Sequence, residues 1–188
     1  MVIYMIRITG INNVLRKGAI ACLSGILCLF CSTSNAEPKM KLEELIQKLE
    51  AANPWTVERV EPVLRAKLVK IDSTKTFVVY TANRLLYEEG LIVEEVHLRF
   101  RVDTNEMIRL IVNLNDEASC FTLDRIKRTY PDIEHDPYGL SVSHDAEHSP
   151  NGSFGYWTKR PWGHIDFGFK ERRPDCLSGI TFIPTGKE

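Results

Sequence analysis

The sequence predicts an α+β fold: two tandem units, each a helix followed by an antiparallel sheet of three to four strands, packed into one domain behind a cleaved leader. Three observations carry this. Helical patterns open after threonines at Thr56 and Thr122, strictly alternating runs follow each of them, and the paired segments recur at almost one offset, 66 residues for the helices and 67 for the strands. Agreement in spacing between separate segments is the mark of an internal repeat.

Ahead of the repeat, Leu42, Leu45, Ile46 and Leu49 recur at helical spacing among Lys, Glu and Gln. They predict an amphipathic helix that Asn53-Pro54 ends. Thr56 then stands as N-cap before Val57, Val60 and Leu64. Pro62 interrupts that pattern, so the second helix is expected either to kink or to begin nearer Glu61. Strands are expected over 67–72, 76–82, 92–102 and 107–114. The third is the clearest, with Val96, Leu98, Phe100 and Val102 alternating with His97, Arg99 and Arg101. A polar turn at 103–106 makes it one arm of a hairpin.

The order begins again at Cys120. Thr122-Leu123-Asp124-Arg125-Ile126 echoes Thr56-Val57-Glu58-Arg59-Val60, with Tyr130 completing the apolar stripe before Pro131 stops the helix. The run 164–169 then matches 97–102, and a last strand is expected over 177–183. The halves span about 54–116 and 120–184. Between helix and hairpin of the second half lies a polar stretch, 132–153, long for a connector, with a short strand expected at 140–143.

The leader reads as a secretory signal. Arg7, Arg16 and Lys17 precede an apolar run, 19–31, that closes on Ser34-Asn35-Ala36, with no acidic residue among them. The run is too short to anchor as a span, so cleavage after Ala36 is expected to release one domain, 37–188, into the periplasm. Lipid anchoring at Cys22, Cys28 or Cys31 is the rival, although Leu27 and Phe30 stand where a lipid site has a small residue. The remaining chain holds 21 basic and 25 acidic residues, a formal charge of −4. That balance suits a protein partner, not nucleic acid, and no stable membrane insertion is expected. Only Cys120 and Cys176 remain after cleavage, and in an oxidising compartment they are expected to form one bridge.

No nucleophile elbow, phosphate-binding glycine loop, paired-cysteine zinc motif or HExxH helix is present. We therefore expect no enzyme, no catalytic residue and no cofactor. His144-Asp145-Ala146-Glu147-His148 is the one metal-like cluster, and His144 with His148 would serve a metal-dependent hydrolase. Its neighbours Ser143, Ser149 and Pro150 argue instead for a solvated loop, so no metal is expected. His97 and His164 are read as outward-facing strand residues, solvated or paired with Arg99 and Asp166. The densest aromatic and basic patch gives the partner-binding candidates Tyr156, Trp157, Lys159, Arg160 and Trp162, with His144 and Asp145 beside them. The opposing account is that these aromatics fill the core; Phe154 and Tyr156 would share one strand face, and Gly155 and Trp157 the other.

In its order of elements over 54–184, the chain resembles the β-lactamase inhibitory protein architecture, and each half looks like the SmpA-type domain of small outer-membrane lipoproteins. The segments Pro54-Trp55-Thr56-Val57-Glu58, Arg160-Pro161-Trp162-Gly163 and Asp175-Cys176-Leu177 are also similar to those of exported immunity proteins that accompany type VI secretion effectors. These resemblances imply a periplasmic immunity or inhibitor protein that occludes the active site of a secreted toxin or hydrolase. They assign no binding residue. An envelope assembly or scaffold protein of SmpA type is the alternative.

Overall fold

The computed structural model describes residues 40–136 and 152–185. The leader, the 140–143 strand and the 144–148 cluster lie outside the described residues. Within them are three α-helices and one eight-stranded antiparallel sheet, so the fold is α+β and mostly β.

Helix α1 (Leu42–Ala51) buries Leu42, Leu45, Ile46 and Leu49, the stripe its spacing predicts. Glu43 and Glu44 in its first turn and Lys48 in its last complement the helix dipole. Helix α2 (Val57–Leu64) starts directly after Thr56, whose hydroxyl accepts from the Arg59 amide. The start near Glu61 is thus corrected: the cap fixes the first turn, and burial of Val60 and Leu64 holds the helix although Pro62 lacks an N–H. Arg65, in the left-handed region, ends it. Helix α3 (Leu123–Thr129) repeats the device, with the Thr122 hydroxyl accepting from the Arg125 amide.

The strands are β1 (Val69–Ser73), β2 (Phe77–Leu86), β3 (Ile92–Arg101), β4 (Met107–Leu114), β5 (Glu134–Asp136), β6 (Ser153–Arg160), β7 (Gly163–Lys170) and β8 (Arg173–Pro184). They lie in the order β1-β2-β3-β4-β8-β7-β6-β5. Two strands outrun their sequence patterns because a partner continues alongside: Leu86 pairs with Ile92, and Arg173 with Lys170. β5 lies in the stretch read as a polar connector, where three ladder pairs to β6 order it. Pairing of β1 with β2 slips between Lys70 and Asp72, leaving Ile71 as the extra residue of a bulge. In the β6–β7 turn Gly163 takes φ 152, and a Cβ there would stand 2.0 Å from the Ile183 carbonyl oxygen.

The helices pack on one sheet face. Val96, Leu98, Leu110, Val112, Ile165, Phe167, Ile180 and Phe182 form one buried cluster with the apolar faces of α1 and α2. Trp55 meets Trp162 edge-on at 4.7 Å and Phe182 at 5.9 Å, while its indole N–H donates to the Leu49 carbonyl at 2.7 Å. Cys120 and Cys176 are joined by a disulfide that ties the entry of α3 to β8. Among the described residues no helix is long and apolar enough to cross a membrane.

Candidate functional site

Paired residues of an antiparallel ladder share a sheet face, so the register shows what the face opposite the helices carries. One row crosses six strands as Asp136, Gly155, Gly168, Gly179, Asn113 and Glu95. The next row crosses as Glu134, Trp157, Asp166, Thr181, Ile111 and His97. Three adjacent strands therefore present bare backbone side by side, with a carboxylate at each end of the row and a third beside it.

Among the described residues nothing requires these glycines. None has a positive φ, and a Cβ would stand 3.4 Å from the nearest atom at Gly155, 3.7 Å at Gly168 and 3.5 Å at Gly179, distances at or near ordinary contact. Strand glycine weakens a sheet, and where local geometry does not demand it, it marks close approach by another group. The row floors a cavity of about 520 Å³, bordered by Glu94, Glu95, Asp136, Asp166, Lys170 and Arg172.

Asp166 is 8% exposed, and among the described residues its Oδ2 has no hydrogen-bond partner. Its Oδ1 lies 3.7 Å from His164 Nε2, beyond hydrogen-bond reach. Burial, aided by the charge of Asp136, pushes the Asp166 carboxyl up to about 7, while Arg109 opposes the shift. Burial also lowers His164, with Arg109 acting in the same direction, so His164 is a poor counter-ion. His97 Nε2 lies 2.7 Å from the Glu95 carboxylate, two residues back on the same face, so the partner of the ring is Glu95 where solvent or Arg99 was expected. The cations on the rim are engaged, with Lys170 3.3 Å and Arg172 3.9 Å from the buried carboxylate of Asp116.

The candidates from the aromatic and basic patch divide between the two faces. Tyr156 and Trp162 pack against the core. Arg160 is held by Glu50 at 3.0 Å and Asp132 at 3.2 Å and stacks over Tyr130. Trp157 lies on the other face in the Asp166 row, and Lys159, paired with His164, lies beside it and is exposed. His144, Asp145 and His148 fall outside the described residues.

Comparison with known protein families, with curated proteins and with solved structures finds no match. Function is therefore argued from the site alone.

Among the described residues no group of three or more His, Cys, Asp or Glu side chains could hold a metal. Sequence reading missed the groove. Gly155, Gly168 and Gly179 each interrupt an apolar strand, and an isolated strand glycine is a recognised pointer to close approach. Their alignment depends on pairing between strands that are distant in the chain, which no local pattern displays.

Proposed function

We propose that this is an exported protein-binding protein, an immunity or inhibitor protein that neutralises a secreted toxin or hydrolase by docking on it with the sheet face opposite the helices. The observation that carries the reading is the grooved face: three helices cover one side, and the other holds a glycine-floored cavity bordered by carboxylates, with Trp157 and Lys159 on the same face of β6 as Gly155. Such a face offers an aromatic anchor and shaped relief, the features of a recognition surface. The disulfide suits an oxidising compartment, in keeping with periplasmic delivery after cleavage at Ala36.

The tandem arrangement belongs to the same proposal. In support of it, Leu98 and Ile165, which the 67-residue offset equates, pair with Leu110 and Phe182, and those two pair with each other at the β4–β8 seam. That is the register a two-fold relation between copies requires.

The test is a competition assay with affinity capture. A strain lacking the protein is expected to lose viability beside toxin-bearing rivals, and the tagged protein to recover one periplasmic or incoming enzyme whose activity it blocks. Unchanged survival together with no inhibited enzyme would overturn the reading.

A further inference from the structure

We infer that the glycine-floored groove is a pocket for a planar cation, the guanidinium of an arginine side chain presented by a partner protein. The inference rests on the binding reading above and names the chemistry of the partner's anchor.

Three features of the groove converge on it. The floor is bare: Gly155, Gly168 and Gly179 stand side by side on adjacent strands, so a planar group can lie directly on peptide planes that side chains elsewhere would shield. Charge is uneven: four carboxylates, Glu94, Glu95, Asp136 and Asp166, border the cavity against two cations, Lys170 and Arg172, and those two are turned to Asp116 as Glu95 is to His97. A carboxylate stands ready: Asp166, on the same face of β7 as Gly168 and two residues from it, keeps a buried oxygen with no hydrogen bond from any described residue. A buried acceptor left unmade costs free energy, which an entering donor recovers. Guanidinium fits better than ammonium because its in-plane N–H fork matches a carboxylate while its faces are weakly hydrated and stack on flat surfaces. An ammonium is a compact, strongly hydrated ion that gains nothing from bare peptide planes.

The groove is pH-gated as a consequence. Guanidinium binds the ionised form of Asp166, so binding releases a proton and weakens as pH falls through about 7. The charged groups facing Asp166 are His164 on its own strand, Arg109 on β4 and Asp136 on β5; Trp157 on β6 and Thr181 on β8, its ladder neighbours, do not titrate in this range.

The experiment is amide-proton NMR titration of the full exported chain with Nα-acetyl-arginine methyl ester, and in parallel with the lysine ester. With arginine, the Gly155, Gly168 and Gly179 amides are expected to shift, with a dissociation constant on the order of 1 mM. Asp166→Asn is expected to weaken this by about tenfold or more. Gly168→Ala, whose Cβ the chain accommodates at 3.7 Å, is expected to keep the fold, checked by thermal melting, and to abolish the shifts. No movement of the three amides, equal response to the lysine ester, or undiminished binding by both variants would each overturn the inference. Arginine binding without any protein partner would sink the inhibitor reading and spare the groove; a partner that binds equally well to Asp166→Asn and Gly168→Ala would do the reverse.

Discussion

Burial sets the ionisation of Asp166, and that has a thermodynamic signature of its own. Its carboxyl titrates near 3.8 when exposed and at about 7 in the fold, so between those values the native state holds a proton that the unfolded chain has released. Stability from this group is present below about 3.8 and is lost as pH rises to 7. Asp166→Asn is therefore expected to raise unfolding free energy by roughly 1 to 3 kcal/mol above pH 7 and to change little at low pH, read from denaturant midpoints across pH. The gain falls short of the full charge penalty because the buried amide also lacks partners. A second contrast separates the two tryptophans of the aromatic patch. Trp162→Ala, which strips the core of the ring against Trp55, is expected to cost about 2 to 4 kcal/mol of stability. Trp157→Ala, on the grooved face, is expected to cost less than about 1.5 kcal/mol in folding and about tenfold or more in partner affinity, measured by calorimetry with the inhibited enzyme. The patch was legible in the sequence as one feature. Strand alternation placed Trp157 opposite Tyr156, but Trp162 sits in a turn, where period-two reasoning has no purchase.

Among the elements, the Cys120–Cys176 disulfide closes a covalent loop with a sequence separation of 56. Replacing both cysteines by serine frees the unfolded chain and is expected to lower stability by about 4 kcal/mol, read as a loss of midpoint that dithiothreitol reproduces in the parent protein. The pairing could be read beforehand because only two cysteines follow Ala36. Helices were legible to within a residue or two where a threonine cap and an apolar stripe coincide, as at Thr56 and Thr122. Strand ends were not, because Leu86 and Arg173 extend their strands through pairing with neighbours and carry no local strand signal. β5 is the sharpest case: Glu134, His135 and Asp136 are poor strand formers that the β6 ladder recruits. Helix α1 is bound to the later part of the chain by ion pairs, Glu43 with Arg125 and Glu50 with Arg160. These contacts, far apart in sequence, left no trace in the local pattern.

For the whole molecule, the strand order puts the β4–β8 junction at the centre and β1 and β5 at the margins. Leu110, Val112, Ile180 and Phe182 at the junction are fully buried, whereas every residue of β1 is exposed. Amide hydrogen exchange is expected to be slowest for β4, β7 and β8, approaching the rate of global unfolding, and fastest for β1, read by mass spectrometry after digestion. Uniform protection across all eight strands would contradict this gradient. Class and element order were accessible from alternation and caps; the joining of the two four-stranded runs through their last strands was not, since a helix and three other strands lie between β4 and β8 in the chain.

The slipped pairing of β1 has a consequence for life in a crowded compartment. An outermost strand carrying Val69 and Ile71 in the open, with one side of its backbone unpaired, is a template on which another chain could add and seed fibrils. The bulge at Ile71 twists that border out of register, and Lys70 and Asp72 on either side place charge where an incoming strand would lie. At the far border β5 places Glu134 and Asp136 on the strand, and charge on an edge disfavours a further strand. Both margins thus carry charge that works against self-association through the rims of the sheet.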